Sequence, residues 1–530
     1  MRKWVWPFGL VAGLFATAAA LVALRLQVPL WLRPASHDAA ASGAARLHGA
    51  LLAVLLVVLA RGLLGRRRVA YGVGVVAAIV GALALGPGLP AVLLVVTAVL
   101  LALRPAEFTA VPVLARVRTA MAGGLVVLAA GGIYDVAMRW DTHMRADLLS
   151  LLLLAASTVL VVLMAPAPAP PPATESTRAL VRGLAANPAS GTLAPFALRR
   201  DKAYVFSPDG RAALGYRVLF GVAVAGGDPV GHPGSYAAAV DAFVRRCARD
   251  GWRPAVIGVR AELAGMWHAH GLRSIGIGDE VVLEVAGFSL ERRRMRNVRQ
   301  AVARTHNAGV STRIAREGEL PARLRTELAE VSSAWLRGSR ERGFSMILDG
   351  LLNGVHPECL LVIAYDRTGR VVGFQRYATC CGGTALSLDT MRRDRDGPNG
   401  LNERMIVDVL EYCATAGIEV LSLNFAAFRT LLDAGDARRV VDRLGYRAMH
   451  LLDPLIQLES LYLFNAKFRP SYRPRSVAFP SWWSIPTVAA VMLTLEFAPG
   501  GVRRLIPQPE PVLSSSPTSS SSAIVTGDAE

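Results

Sequence analysis

Cysteine is scarce in this sequence, with five residues in a chain of 530. No two of them form a CxxC pair, and none stands at the Cys/His spacing of a zinc site. The pattern argues against a disulfide-stapled domain and against a zinc module. Free thiols in a reducing compartment are the simplest account of the five cysteines.

Acidic residues and lysine are also under-represented. Asp and Glu number 40 against 58 Lys and Arg, which gives a net charge of +18, and the lysines are Lys3, Lys202 and Lys467 alone. This balance favours anionic lipid or RNA as partners, although a solvated arginine-rich surface would give the same composition. Because the chain uses arginine almost everywhere, Lys467 indicates a position that needs a compact ammonium group.

Several catalytic signatures are missing. The sequence has no GxSxG elbow of a serine hydrolase, and His268 and His270 are two residues apart, which is a poor spacing for a metal pair. No metal site and no cofactor are predicted. The pyrophosphate loop of acyl-CoA-dependent acetyltransferases is absent before Gly397. That enzyme class and a non-catalytic lipid- or RNA-binding membrane protein stay open as alternatives.

Apolar residues are concentrated before residue 165, in segments near the ~17–25 residues of a spanning helix. Arginines flank these segments on alternate sides, which predicts a cytoplasmic N terminus and a cytoplasmic second half. The sequence therefore predicts a multi-pass protein of the plasma (inner) membrane. Its six predicted spans are residues 7–26, 47–65, 69–86, 89–103, 119–138 and 147–164.

The remaining chain contains two similar runs of antiparallel strands, a helix and a further strand. This duplication predicts an α-helical transmembrane bundle followed by an α+β fold of the tandem acetyltransferase-like (GNAT) type. The oligomeric state, including a homo-oligomer, is left open. The predicted domains are transmembrane helices at 1–164, a Pro/Ala-rich linker at 165–195, a first acetyltransferase-like domain with a basic helix at 196–310, a second such domain at 311–507, and a disordered Ser-rich tail at 508–530.

One stretch places polar groups at a strand–turn–helix junction. A strand is predicted from Thr384 to Met391, with Leu386, Leu388 and Thr390 on one face and Ser387 and Asp389 on the other. A turn then leads through Asn399 and Gly400 into a helix that ends at Gly417 in a left-handed C-cap. Asp389 and Arg392 therefore stand beside a helix N-terminus, where an anion or a reacting carbonyl can be held.

A second candidate segment is the basic helix at 291–306. Met295, Val298 and Val302 form its apolar stripe, and arginines cover the rest of its surface. Such a helix can lie against the phosphates of lipid or RNA, at about 1 kcal/mol per charge near an anionic membrane. Arg293 and Arg296 are its candidate binding residues, and a solvated face without a ligand is the alternative.

The chain resembles the phosphatidylglycerol lysyltransferases, also called multiple peptide resistance factors, over about residues 200–480. Within that family it looks most like the membrane-bound part of the actinobacterial fusion with a lysyl-tRNA synthetase, without the synthetase. The motifs that carry the likeness are Gly226–Gly231, Gly278-Asp279-Glu280, Trp335-Leu336 with Gly343-Phe344-Ser345, Leu388–Arg392 with Asn399-Gly400, and Phe464–Pro470.

The resemblance implies transfer of an aminoacyl group, lysyl by default, from aminoacyl-tRNA to phosphatidylglycerol at the inner leaflet. The product would be a cationic membrane lipid of the kind that protects against antimicrobial peptides. Such a transfer starts from an activated ester. It needs the two reactants held together, a base or hydrogen-bond acceptor near the attacking hydroxyl, and positive groups near the developing oxyanion. The residues implied are Asp389, Arg392 and Lys467 as catalytic groups, and Glu280, Arg337, Arg293, Arg296 and Asn399 as substrate-binding groups.

Overall fold

The computed structural model describes residues 39–85, 89–103, 105–137, 148–338, 343–344, 347–427 and 463–497. The first predicted span, at 7–26, and the predicted tail, at 508–530, lie outside these residues. Ser345 of the family motif and the segment 428–462 also lie outside them.

Five apolar helices form the N-terminal part and cover the second to sixth predicted spans. They are α1 (Ala39–Leu64), α2 (Arg68–Leu85), α3 (Leu89–Ala102), α4 (Leu114–Ala137) and α5 (Leu148–Met164). Within the described ranges, none of the helices combines the length and the apolar character that crossing a membrane requires. The prediction of about six spans is therefore not confirmed.

The rest of the described chain combines helices with one twelve-stranded sheet. The helices are α6 (Glu175–Ala185), α7 (Tyr236–Asp250), α8 (Ala264–Ala269), α9 (Arg296–Asn307), α10 (Ala322–Leu336), α11 (Leu401–Ala416) and α12 (Ile485–Phe497). The strands are β1 (Ala203–Phe206), β2 (Ala212–Leu219), β3 (Val222–Gly226), β4 (Val230–Gly231), β5 (Arg253–Arg260), β6 (Arg273–Glu284), β7 (Ser311–Arg316), β8 (Leu360–Tyr365), β9 (Val371–Cys380), β10 (Ala385–Arg393), β11 (Val420–Ala427) and β12 (Ser471–Phe479).

The sheet is continuous from one predicted half to the other. Its strand order is β1-β2-β3-β5-β12-β6-β11-β10-β9-β8-β7, and β4 pairs with β2. Two adjacent pairs are parallel, β3 with β5 and β10 with β11, and each pair is connected by a helix, α7 or α11. The repeat of this unit agrees with a tandem α+β fold. The last strand, β12, lies between β5 and β6, so the predicted domain boundaries stay a prediction.

Helices α9 and α11 cover one side of the sheet, called here the helix face. Met295 and Val298 of the α9 region and Met405 and Leu410 of α11 share a buried core with β6, β8, β10 and β11. At ~1.5–3 kcal/mol for each fully buried large side chain, this core dominates the stability of the second half. On the opposite face, Phe196 and its neighbours pack beside Ala378 of β9.

The Pro/Ala run is extended, but it does not stand away from the globular part as a spacer. Its backbone pairs with the first half, because Ala167 N donates to Asp250 O and Ala173 N donates to Lys202 O. Trp252 Nε1 also donates to Ala167 O at 2.8 Å. Free peptide groups beside a buried surface need such partners, so the run is bound along the domain. Helix α6 then follows within the predicted linker.

The N-terminal helices meet the globular part at the end of α7. Arg67 Nη2 donates to Gly251 O at 2.8 Å, and Val111 N donates to Arg249 O at 3.1 Å. The last carbonyls of a helix have no partner inside it, and here the N-terminal part supplies donors for them.

Strand β10 departs from the predicted alternation. Its pairing with β9 shifts between Leu388 and Thr390, which inserts an extra residue into the ladder. Beyond the shift, Met391 rather than Thr390 joins the core of the helix face. Strand alternation then puts Arg392 on the same face as Asp389. The prediction that Thr390 lies with Leu386 and Leu388 is corrected accordingly.

Candidate active site

The two parallel strands of the second half separate in the middle of the sheet. Strands β10 and β11 pair only from Ala385 to Ser387 and from Val420 to Ser422. Asn424 then adopts a left-handed φ of +72°, and its Nδ2 donates to Leu388 O at 3.0 Å. The side-chain amide therefore bridges a gap that backbone hydrogen bonds would otherwise close. We call this gap the β10–β11 splay.

A row of polar side chains crosses the sheet at this splay, on the face opposite α9 and α11. It consists of Glu280 on β6, Ser422 on β11, Ser387 on β10 and Arg376 on β9, and all four are fully buried. Ser387 and Ser422 stand directly opposite each other in the parallel ladder. Ser387 Oγ has no hydrogen-bond partner among the described residues. Burying polar groups is costly, so an interior row of them indicates a functional site.

Asp389 belongs to this row through Arg376. Arg376 Nη1 lies 2.9 Å from Asp389 Oδ2, and Arg376 Nε lies 2.7 Å from Glu317 Oε2. Asp389 Oδ1 also accepts a hydrogen bond from Leu348 N at 2.6 Å. Burial lowers the pKa of Arg376, but the surrounding acidic groups outweigh burial, so its pKa is raised and its charge is fixed. One buried guanidinium thus holds two carboxylates.

Glu280 is held at the other end of the row. Its Oε1 accepts hydrogen bonds from Thr192 Oγ1 and, at 2.7 Å, from Ser422 Oγ, while Arg475 Nη2 donates to Oε2. Burial raises the pKa of Glu280, but Arg475 and the hydroxyl donors together outweigh burial, so the pKa lies below its ordinary value. Glu280 is therefore an ionised carboxylate inside the protein.

The family-like motif Gly226–Gly231 reaches the same network through Asp228. Arg475 Nη1 donates to Asp228 Oδ2 at 3.2 Å, and Arg260 Nε donates to it at 3.0 Å. Burial raises the pKa of Asp228 and outweighs both arginines. A cleft of about 360 Å³ opens beside these groups, and its lining includes Thr192, Arg260 and Arg475.

Lys467 and Asn399 lie at the start of α11. Lys467 Nζ is 2.8 Å from Glu403 Oε1, in the first turn of that helix, and 5.3 Å from the centre of the Phe464 ring. Asn399 is exposed just before Gly400, the N-cap, which makes no side-chain capping bond. The first N–H groups of α11 therefore lie beside a lysine.

Arg392 lies on β10 just before the loop that leads into α11, and Arg337 lies at the end of α10, which this loop contacts. Arg392 is half-buried near the end of β10, and its Nη1 donates to Met391 O at 3.1 Å. Arg337 is exposed at the end of α10 with a φ of +46°. Arg395 joins that end to the loop, since its Nη2 donates to Trp335 O at 3.1 Å.

Arg293 and Arg296 lie exposed in the basic segment around α9. The apolar stripe predicted for this helix is confirmed at Met295 and Val298, which are buried. The helix packs against the start of α11, where a Cβ on Gly400 would lie 2.8 Å from Ala301 O. The arginines of α9 and the N-terminus of α11 therefore belong to one layer.

Six of the eight candidate residues fall into two groups, and Arg392 and Arg337 stand apart from both. Asp389 and Glu280 belong to the buried row, whereas Asn399, Lys467, Arg293 and Arg296 belong to the layer of α9 and α11. The contacts among the described residues pair Lys467 with Glu403, not with Asp389. Sequence reasoning missed Arg376, Arg475, Ser387 and Ser422. The signal that could have revealed Arg376 is a charged residue inside a strand, Val371–Cys380, that is otherwise uncharged.

The fold and the buried row define a protein of tandem α+β fold that carries a buried polar site at a splayed strand pair. Solved structures share this fold. The C-terminal domain of a putative lysylphosphatidylglycerol synthetase from Agrobacterium fabrum matches with a TM-score of 0.54 and 21% identity, over 61% of this chain and 97% of that one. The L-PGS structure from Bacillus licheniformis matches with a TM-score of 0.54 and 19% identity, over 61% and 97%.

The family model for the C-terminal part of phosphatidylglycerol lysyltransferase matches residues 181–479. The chain therefore belongs to this family, as the motifs predicted. An MprF-like domain protein of Mycobacterium tuberculosis is 44% identical over 314 residues, which cover 58% of this chain and 64% of that protein. The bifunctional protein LysX of Gordonia bronchialis, named for lysylphosphatidylglycerol biosynthesis, is 40% identical over 58% of this chain and 27% of its own length. The chain thus spans less than two thirds of either relative.

Proposed function

We propose that this protein is an aminoacyl-tRNA-dependent aminoacyltransferase that moves a lysyl group to phosphatidylglycerol. The observation that carries the proposal is the buried row at the β10–β11 splay, in a chain of the phosphatidylglycerol lysyltransferase family. A buried carboxyl group at each end of this row, Glu280 and Asp389, suits a substrate with two ammonium groups. A lysyl ester is such a substrate.

The reaction is a transesterification, in which one ester bond forms as another breaks. The free glycerol hydroxyl attacks the carbonyl carbon of the aminoacyl ester, the new ester bond forms, and the bond to the terminal ribose oxygen of the tRNA breaks. That ribose oxygen takes the proton which the glycerol hydroxyl gives up. Because the donor is already activated, holding the two reactants together supplies most of the acceleration.

The acidic residues bind the amino-acid end of the donor, and the basic residues bind phosphates. Asp389 and Glu280 hold the amino-acid end, and Arg392 binds a phosphate of the tRNA end or of the lipid head group. Arg293 and Arg296 bind further RNA phosphates, with Asn399, Lys467 and the N-terminus of α11 beside them. Arg337 is assigned to the same substrate-binding surface across the loop.

We also propose that the N-terminal helices lie in the membrane, with the globular part on the cytoplasmic side of the inner leaflet. The support is their apolar outer surface, on which Leu83, Leu125 and Ile133 are each at least 69% exposed. Apolar patches of this kind are rare on soluble monomers. The arginine distribution between the segments gives the orientation. Alkaline carbonate extraction should leave the chain in the membrane pellet.

The function is tested on lipid extracts of cells that make phosphatidylglycerol but no aminoacylated form of it. The intact chain should produce a new lipid with a free amino group, and membranes should form it from lysyl-tRNA in a ribonuclease-sensitive way. Glu280→Gln and Arg392→Gln should lose at least 90% of this product. The matched control is Asp366→Asn, which changes an exposed carboxylate in the β8–β9 turn.

Two results would contradict the proposal. One is a product that forms from an acyl-CoA and survives ribonuclease, which would indicate the acetyltransferase alternative. The other is membrane and RNA binding with no new lipid, which would indicate a binding protein. Membrane levels of each variant, measured by immunoblot, separate a lost activity from a lost fold.

A further inference from the structure

Two adjacent tryptophans are exposed to solvent at the start of α12. Trp483 is 95% exposed and Trp482 is 52% exposed, in the short turn between β12 and the helix. Tryptophan is among the most costly side chains to leave in water, and one fully exposed residue is unusual. The ring is apolar while its N–H is polar, which suits the boundary between lipid and water.

Helix α12 continues this surface. Val488, Val491 and Leu495 pack into a buried core on the sheet. The outer side carries Leu493 at 41% exposure, with the exposed residues Pro486, Ala489 and Ala490. The helix has one charged residue, Glu496, which is buried and accepts a hydrogen bond from Phe344 N at 2.8 Å. Its outer side therefore carries no charge, and its polar side chains are the half-buried Thr487 and Thr494, of which Thr494 donates to Ala490 O.

The turn lies at the end of the sheet that meets the N-terminal helices. Phe479, the last residue of β12, pairs with Arg273, the first residue of β6. At the same end, Arg253 N donates to Gly221 O at 2.8 Å, and a Cβ on Gly221 would lie 2.7 Å from Pro166. Pro166 follows directly after α5. The tryptophans thus share an end of the sheet with the apolar N-terminal part, as does Phe220, which is 73% exposed.

Cationic side chains flank the tryptophans. The Arg273 guanidinium lies 5.7 Å from the centre of the Trp482 ring, and Arg253 is exposed at the start of β5. Arginine beside interfacial tryptophan complements the phosphates of an anionic lipid surface.

The β10–β11 splay opens toward the same end of the sheet, whereas the cleft beside Arg260 and Arg475 lies toward the opposite end of β5. Strands β10, β11 and β12 all run in one direction, because β11 and β12 are both antiparallel to β6 and β10 is parallel to β11. The carboxyl ends of β10 and β11, beyond the splay, therefore point to the end of the sheet that carries Trp482 and Trp483.

We propose that Trp482, Trp483, Phe220 and the outer side of α12 form a membrane-contacting surface that rests among the head groups of an anionic bilayer. It holds the globular part against the membrane with the splay facing the lipid. This surface goes beyond the proposed function: it rests on the proposed membrane location of the N-terminal helices but not on the proposed transfer reaction, because a membrane contact needs no catalysis.

The experiment uses the full chain in nanodiscs of phosphatidylglycerol and phosphatidylcholine. The emission of Trp483 is obtained by subtracting the spectrum of Trp483→Phe from that of the unmodified chain. We expect this emission to be lost when the lipids carry bromine near the head group, and to be little affected by aqueous iodide. Trp267→Phe, which removes a buried tryptophan on α8 beyond the opposite end of β5, is the control and should give a difference spectrum insensitive to brominated lipid.

Each other outcome overturns the proposal. Quenching by iodide but not by brominated lipid would mean that Trp483 faces water. Insensitivity to both would mean that another part of the chain or a second copy covers it. The anionic preference is tested by replacing phosphatidylglycerol with phosphatidylcholine, which should reduce the bromine quenching, as should Arg273→Gln. Equal quenching on neutral lipid would contradict the role of the arginines. Lipid product is not part of the readout, so a failed transferase assay leaves this result intact.

Discussion

At the scale of single residues, the sequence indicated candidate side chains but not their partners. Asp389 was predicted from its place at a strand end beside a helix N-terminus, whereas the structure buries it on the sheet face opposite α11. Its partner Arg376 was not predicted, because the contact depends on the register of β9 against β10 and on the shift between Leu388 and Thr390. Both are set by tertiary packing and leave no local pattern.

Removal of the Arg376 charge should destabilise the protein strongly. In Arg376→Leu, Glu317 and Asp389 would remain buried without a counter-charge, which typically costs about 3–5 kcal/mol. The urea midpoint of the full chain, followed by tryptophan fluorescence, should fall accordingly. Arg370→Leu breaks an exposed pair with Asp366 and Asp394 and should cost about 0–1 kcal/mol. Equal midpoints for the two variants would contradict a buried ion pair.

Lys202 should make stability depend on alkaline pH. Burial lowers the pKa of its amine to about 7, and the amine donates to Phe196 O at 2.9 Å. The unfolded chain, with a lysine pKa of ~10.4, keeps the proton longer than the folded chain does. The free energy of unfolding should therefore rise between pH of about 7 and ~10.4 through this group.

Replacement of Lys202 by methionine tests this sign. The free energy of unfolding of Lys202→Met should lack that rise. Compared with the unmodified chain, the variant should therefore be most stable near pH 7 and lose ground as the pH increases toward ~10.4. Lys467→Met, at an exposed lysine, should keep the rise. A parallel pH dependence in all three chains would show that Lys202 stays charged when buried.

At the scale of helices and strands, local signals were reliable where glycine marks a boundary. The left-handed C-cap predicted at Gly417 is confirmed by its φ of +70°. The basic helix begins at Arg296, five residues after its predicted start, and β10 lies within two residues of the strand predicted from Thr384 to Met391. The irregularity in β10 escaped prediction, because a bulge changes the alternation without changing the composition of the strand.

Gly400 should tolerate substitution less well than Gly417. Both have positive φ, which costs an alanine about 1–2 kcal/mol. At Gly400 a Cβ would also lie 2.8 Å from Ala301 O, whereas at Gly417 it would meet nothing within 4 Å. Gly400→Ala should therefore lose a further ~1–3 kcal/mol by pushing α9 away from α11. Urea unfolding of the two variants measures the difference. Equal losses in the free energy of unfolding would mean that α9 moves away from α11 without destabilising the protein.

At the scale of the whole molecule, duplication was predictable and connectivity was not. Two similar runs of elements indicated two similar halves, and each half has its parallel strand pair around one helix. Sequence could not reveal that β12 lies between β5 and β6, because a strand near residue 475 carries no sign of which strands it will pair with. The placement ties the end of the chain into its first half.

This tie predicts that the first half cannot fold without the last strand. Strand β12 pairs with β5 over Arg475–Ala478 and with β6 along its full length, Ser471–Phe479, so a fragment of residues 165–310 would leave both neighbours with unpaired edges. It would also lose Arg475, the counter-charge of Glu280 and Asp228. We expect the fragment to show no cooperative urea transition, and the same fragment joined by a Gly/Ser linker to residues 463–497 to regain one. Cooperative unfolding of the short fragment would mean that β5 and β6 close up without β12.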